Sequence, residues 1–349
     1  MLIAGWSFTN LCNLRCRHCY NNSGIIRRNE LTFEESKQVV KKLKSAGTVA
    51  INFGGGECPL RRDFIPLCKY IAENSKIKIS LTTNGTTFSL IKHNLNLFHD
   101  IGVSLDFPDA RRHDWFRGVN GTFKKATETI KKLVENGVKV EIVTCITKLN
   151  SDIKTLEKMY ELCKKLRVDS WRINRYRPTG REEMIEKLRL DKETLKKVYQ
   201  FLASLSMDTV SISDPIFRAY AGIKGAFAGC PCGTYSFRIQ PDGEVSPCIY
   251  LKESGGNIKE KAIDEIMNSE IFKRIRERNP RGKCINCSIY QQCKGGCAGS
   301  SYLEYGHFDG PDPLCFLQTD EVKSTEIFVP KKWNVHELYL CTVYVPIHR

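Results

Sequence analysis

Long apolar runs are missing from this 349-residue sequence: none approaches the 18 or more residues that a membrane span requires. The first ten residues, MLIAGWSFTN, lack the basic start and apolar centre of a secretion signal. These absences predict a soluble cytoplasmic protein that does not engage a membrane. Internal repeats and low-complexity segments are absent too, as is the base-stacking aromatic motif of a recognised RNA-binding module. Acidic residues are the minority, 39 against 54 Lys and Arg, for a net charge of +15. Taken alone, that excess would point to nucleic acid, an anionic surface or an acidic substrate. The basic residues are spread along predicted helix faces such as Lys37 to Lys44 and Lys192 to Lys197, where solvated surface is the ordinary reading, so a nucleic-acid partner is not expected.

Hydrophobic residues (41%) and charged residues (27%) occur in globular proportion, and the length allows two domains that each bury a core. The residue in excess is cysteine, with 16. Cytosolic thiols stay reduced, so a cysteine-rich chain of this kind is predicted to bind metal rather than to form disulfides.

Residues 1–206 alternate strand-like and helix-like segments, the pattern of a parallel α/β sheet built from βα units. Six candidate strands are rich in β-branched or aromatic residues: Ile3 to Thr9, Val49 to Phe53, Ile77 to Thr82, Ile101 to Leu105, Val138 to Ile146 and Ser170 to Asn174. Thr32 with Glu35 three residues on is a capping-box pattern, and Asp63, Thr122, Ser151 and Asp191 stand where later helix caps would fall. Residues 207–228 read as a linker. From 229 to 325, Gly, Pro and Cys punctuate a loop-rich second domain with a hairpin over Tyr235 to Ile249 and one good helix, Ile263 to Arg278. The tail, 326–349, carries Cys341, which has no assignment.

Beyond the first strand comes Cys12-Asn-Leu-Arg-Cys16-Arg-His-Cys19, three thiols within eight residues of one loop. Three thiolates hold a 4Fe-4S cluster with one iron open to a small molecule. The alternative is structural zinc completed by His18. Gly54-Gly55-Gly56-Glu57 follows the second strand: glycines permit close backbone approach, and a carboxylate suits an ammonium group. Thr82-Thr83-Asn84-Gly85 ends the third strand and Ser104-Leu105-Asp106 the fourth.

These motifs resemble the radical S-adenosylmethionine superfamily, whose cluster motif has three cysteines at these two spacings after the first strand of a partial βα barrel. The resemblance implies a partial (βα)6 TIM-like barrel in which Cys12, Cys16 and Cys19 hold the catalytic cluster. It also implies that Gly55, Gly56 and Glu57 receive the methionine moiety of S-adenosylmethionine, and that Asn84, Ser104 and Asp106 face its nucleoside. His113 to Gly118 (HDWFRG) resembles a pattern of one branch of the superfamily, where it places a helix.

Cys284-x2-Cys287-x5-Cys293-x3-Cys297 and Cys315, preceded by Cys232 and Cys248, resemble the SPASM domain, an extension of radical enzymes that modify peptides and proteins. Position by position, the resemblance gives Cys284, Cys287, Cys293 and Cys315 to one auxiliary 4Fe-4S cluster and Cys232, Cys248 and Cys297 to another. Cys230 is the candidate fourth ligand of the latter, making three clusters in all. Structural zinc is again the alternative for the paired cysteines. Cys58, Cys68, Cys145 and Cys163 fall in barrel elements and are expected as buried thiols.

The activity implied is reductive cleavage of S-adenosylmethionine to a 5′-deoxyadenosyl radical that abstracts hydrogen from a peptide, protein or protein-bound cofactor. The electron would come from a low-potential donor such as ferredoxin or flavodoxin. Sulfatase-maturing members place Asp directly after the cysteine equivalent to Cys248; Ile249 stands here, which argues against formylglycine formation. With its first cluster cysteine at residue 12, the chain is expected to lack an N-terminal leader-binding domain. The early start, the run WSFTNLCNLRCRHCY and the variant GGGECPL look similar to a branch that matures tungsten- or molybdenum-pterin oxidoreductases. The other readings are a ribosomal-peptide-modifying enzyme, a non-catalytic iron-sulfur electron carrier and an RNA-modifying enzyme.

Overall fold

The computed structural model describes residues 2–24, 29–181, 184–205, 210–212, 214–221 and 228–317, and the backbone of 343–345. Seven parallel strands run in chain order: β1 (Leu2–Thr9), β2 (Thr48–Gly55), β3 (Lys78–Thr83), β4 (Asp100–Ser104), β5 (Val140–Ile146), β6 (Ser170–Arg175) and β7 (Val210–Ile212). All six strands expected from the sequence are present, each within two residues of its expected limits. The seventh lies in the stretch expected as a linker: β7 and the helix Pro215–Tyr220 extend the barrel sheet through it. At the other edge, β8 (Ser236–Ile239) joins β1 in parallel and pairs antiparallel with β9 (Glu244–Ser246), which carries the two-residue β10 (Gly256–Asn257). The hairpin is therefore where the sequence puts it, as a continuation of the barrel sheet. Beyond β7, β11 (Val343–Val345) pairs antiparallel. The rest of the tail, with Cys341, lies outside the described residues.

Register explains why this sheet encloses a site. Residues paired across neighbouring strands share a face, and side chains alternate between faces. Gly5 pairs with Asn52 and with Arg238, Asn52 with Ser80, Thr82 with Gly102, Gly102 with Glu141, and Val143 with Arg172. One face is thus small or polar across the whole sheet. The opposite face carries Trp6, Phe53, Ile101, Ile142 and Trp171, all fully buried in the core beneath the helices. Trp6 stacks on Phe53 at 5.5 Å, and Phe53 meets Phe64 edge-on at 5.2 Å. Parallel sheets bury both faces. Here the inner face satisfies its polar groups by pairing, Glu141 with Arg172 at 3.0 Å and Ser80 with Asp100 at 2.7 Å.

Local signals account for most helix starts. The capping box Thr32/Glu35 opens Phe33–Ser45, and Asp191 accepts from Thr194 N to open Lys192–Ser204. Two caps differ from expectation. Helix Thr122–Glu135 starts from Gly121, with Asp114 accepting from the backbone of Gly121 and Phe123. Asp152, not Ser151, caps Ile153–Leu166. In the second domain the single expected helix is broken at Asn268 and Ser269 into Ile263–Met267 and Glu270–Arg276. No helix among the described residues is long and apolar enough to cross a membrane.

Candidate functional site

One cavity of about 250 Å³ opens at the C-terminal ends of the strands, where parallel barrels carry their chemistry. Strand ends from β1 to β6 contribute to it together with residues from the second domain, so the sheet curls around it. Cys12, Cys16 and Cys19 line one part, and Cys230, Cys232, Cys248 and Cys297 another. A second cavity of about 230 Å³ is lined by Cys284, Cys287, Cys293 and Cys315. The two auxiliary sets read from the sequence thus separate in space, and Cys230 falls with the inner one. None of these thiols is joined in a disulfide.

The chemistry of these sets fits iron-sulfur clusters. Burial pushes the Cys12 thiol up to about 12 and raises Cys16, against the opposing influence of Arg117. A ligated metal would favour the thiolate and offset that cost of burial. Around one zinc, thiolates at about 2.3 Å from the metal sit within roughly 4 Å of each other. Among the described residues no three His, Cys, Asp or Glu side chains are grouped to hold a single metal ion. His18, the expected partner of a zinc reading, has its ring stacked on Phe116 at 4.1 Å and 6°.

The cysteine loop is held by backbone contacts. Arg15 N donates to Arg117 O at 3.3 Å and Arg17 N to Phe116 O at 2.9 Å, which seats the loop on the C-terminus of helix Ala110–Arg117. Gly118 ends that helix with φ of 76°, and a Cβ there would lie 2.5 Å from Arg15 O. The HDWFRG motif therefore does more than place a helix, because it forms the wall against which the cysteine loop folds. Arg117 Nη1 lies 3.7 Å from Cys16 Sγ, and its guanidinium pairs at 2.6 Å with Asp106. The sequence carried no signal for that role of Arg117.

The GGGE turn meets the same loop from the other side. Gly56 N donates to Thr9 O at 2.7 Å and Glu57 N to Leu11 O at 2.8 Å, while a Cβ on Gly56 would sit 2.1 Å from Leu11 O. Backbone cannot yield there as a flexible side chain would. We expect Gly56→Ala to displace the loop between Thr9 and Cys12 and to lower S-adenosylmethionine cleavage by about a hundredfold, the usual cost of a 1 Å misplacement at a reacting centre. An unchanged cleavage rate in that variant would contradict the tight contact. Glu57 is fully buried and lines the cavity; burial raises its pKa, while Thr83, Thr87 and Asn84 N donate to it and hold its orientation.

Gly55, Asn84 and Ser104 line the cavity as well. Asp106 does not. Its carboxylate lies behind the wall, fully buried, accepting from Cys145 N at 2.9 Å and from Arg117. Both oxygens are engaged by groups that themselves line the cavity, so Asp106 stands behind that lining and orients Arg117. Removing one partner of such a buried pair costs about 3–5 kcal/mol. Cys58, Cys68 and Cys163 are buried in the core as expected, whereas Cys145 at the end of β5 lines the cavity.

Comparison with known proteins agrees with this geometry. The family described as the radical SAM superfamily matches residues 6–163, and the SPASM family, described as an iron-sulfur cluster-binding domain, matches 230–294. The chain is 30% identical over 323 residues to the mycofactocin maturase MftC of Mycolicibacterium smegmatis, covering 89% of this chain and 81% of that protein. It is 28% identical over 339 residues to the AdoMet-dependent heme synthase of Nitratidesulfovibrio vulgaris, covering 90% and 91%. In fold it is similar to Streptococcus suis SuiB bound to S-adenosylmethionine, with a TM-score of 0.74, 20% identity and coverage of 90% and 77%.

Proposed function

The chain belongs to the radical SAM superfamily and carries a SPASM domain, and from that premise we propose that it modifies a peptide or a protein-borne group. The observation that carries the reading is the distribution of eleven cysteines over two cavities, three and four in the first and four in the second. An iron-sulfur electron carrier would need neither the buried Glu57 nor the polar strand ends that share the cavity of Cys12, Cys16 and Cys19.

In this reading three 4Fe-4S clusters and S-adenosylmethionine, when bound, supply the reductive cleavage of the sulfonium and the abstraction of a substrate hydrogen. The protein contributes position. Cys12, Cys16 and Cys19 hold the first cluster by three ligands, and Arg117 offsets charge at Cys16. Gly55, Gly56 and Glu57 receive the amino-acid end of S-adenosylmethionine, and Asn84 and Ser104 its nucleoside. Cys230, Cys232, Cys248 and Cys297, which line the same cavity, would hold the inner auxiliary cluster. Arg172 and Glu141 satisfy each other on the inner face. A low-potential ferredoxin or flavodoxin supplies the electron.

The substrate we favour is a protein, a tungsten- or molybdenum-pterin oxidoreductase undergoing maturation, on the motif resemblance in WSFTNLCNLRCRHCY and GGGECPL. The name of the mycofactocin maturase supports a maturation role. A second reading, a tetrapyrrole substrate, is favoured by the heme synthase names among relatives of 28–29% identity. Anaerobic capture from source cells, followed by mass spectrometry before and after S-adenosylmethionine and reductant are added, separates the two. We expect a captured protein or peptide whose mass changes. A mass change confined to a tetrapyrrole would overturn the first reading.

A further inference from the structure

Between the two cavities lies a buried ionic network that neither the motifs nor the family matches assign. Arg177 Nε donates to Cys297 Sγ at 3.1 Å, its guanidinium lying 4.9 Å over the Tyr250 ring. Arg175 pairs with Asp214 at 2.9 Å and with Asp312 at 2.7 Å, and Asp214 lies 3.5 Å from Arg177. Asp312 lines the outer cavity and also accepts from Cys297 N at 3.1 Å. All four charged side chains are at most 4% exposed. The network spans β6, the start of helix Pro215–Tyr220 and the loop before Cys315. It thereby ties the barrel to both auxiliary cysteine sets.

Keeping four charges in a low-dielectric interior is costly, and apolar replacement of such groups is often neutral or stabilising. Stability alone is therefore a weak reason for their presence. Their arrangement follows the sulfur: a cation sits on the Cys297 thiol and an anion on its backbone N–H. Hydrogen bonds and charge at a cluster ligand shift its reduction equilibrium, because a nearby cation stabilises the more negative reduced state and an anion destabilises it.

We propose that Arg177 and Asp312 are opposing positioning residues that set the reduction equilibrium of the inner auxiliary cluster, with Arg175 and Asp214 fixing their geometry. This rests on the cluster assignments proposed above. One external electron reduces the cluster, and the network itself neither gains nor loses protons. Arg177 favours that reduction, and Asp312 opposes it.

The test is an anaerobic redox titration monitored by electron paramagnetic resonance, on full-length reconstituted protein with Cys12, Cys16 and Cys19 replaced by Ala to silence the first cluster. In that background Arg177→Gln is expected to shift the inner cluster's reduction equilibrium at least about tenfold against reduction, which is about 59 mV downward for one electron. Asp312→Asn is expected to shift it in the opposite direction, and Arg177→Lys, which keeps the charge, to restore most of the loss. A generally loosened site would move both potentials the same way, so opposed signs separate tuning from structural damage. An unmoved potential in Arg177→Gln with full iron, or shifts of one sign in both variants, would overturn the proposal. If Arg177→Gln loses the cluster, the Arg177→Lys and Asp312→Asn titrations decide by the same signs. A background protein with no second auxiliary signal would instead defeat the cluster assignments, an outcome visible before any variant of the network is made.

Discussion

Replacing Cys16 with alanine is expected to reduce reductant-dependent release of 5′-deoxyadenosine to the level of a protein-free control. Cys16 is the central thiol of the three, raised in pKa by burial, with Arg117 Nη1 3.7 Å from its sulfur and the loop around it bonded to the end of helix Ala110–Arg117. Cys58 donates to Gly54 O within the core and Cys145 stands on β5, so neither belongs to the loop that carries Cys16. Iron should fall by about four per chain, one cluster's worth, with the auxiliary sets retained. Cys145→Ala is the matched control: its thiol shares the cavity but not the loop, so iron content should stay at the wild-type value. Retained cleavage in Cys16→Ala would refute the ligand assignment.

The second large effect is expected at the outer set. Residues 278–317 contain only short elements, Tyr290–Cys293 and Ala298–Tyr305 among them, and few buried apolar side chains. In a segment like this, ligation supplies much of the folding free energy. Cys293 packs with Ala219 and Ile289, so its loss reaches the helix that follows β7. Cys293→Ala should therefore cost about four irons per chain. It should also lower the melting temperature by roughly 10 °C or more, since losing a metal site costs over about 4 kcal/mol and each kcal/mol is worth about 2–4 °C in a domain of 150–250 residues. Calorimetry of the holoprotein with parallel iron analysis measures both. Full iron with an unchanged melting temperature would remove the outer set from the account.

What could be read from the sequence was what short-range chemistry writes into it. The six strands were legible because each is short and rich in β-branched or aromatic residues, and the cysteine sets were legible because their spacings are local. Strand β7, with three residues, is too short to carry a period, and nothing local distinguishes Val210–Ile212 from a linker. Joining of β8 to β1 pairs residues more than 200 positions apart, which no window can register. The same limit hid Arg117 and Arg177. Arg117 meets Cys16 across 101 residues and Arg177 meets Cys297 across 120, so their partners are set by topology alone. Asp106 was placed on the cavity because it ends a barrel strand. The alternation of side chains puts Ser104 on the inner face, and Asp106 lies past the end of the strand, where Arg117 and Cys145 N engage it.

The central claim is that eleven of the 16 cysteines form three cluster sites in two cavities. Iron and acid-labile sulfide per chain, measured after anaerobic reconstitution and removal of unbound metal, test it most directly. The account predicts about 12 of each, three 4Fe-4S clusters. A value near 4 would leave the barrel site alone and contradict the reading of the second domain.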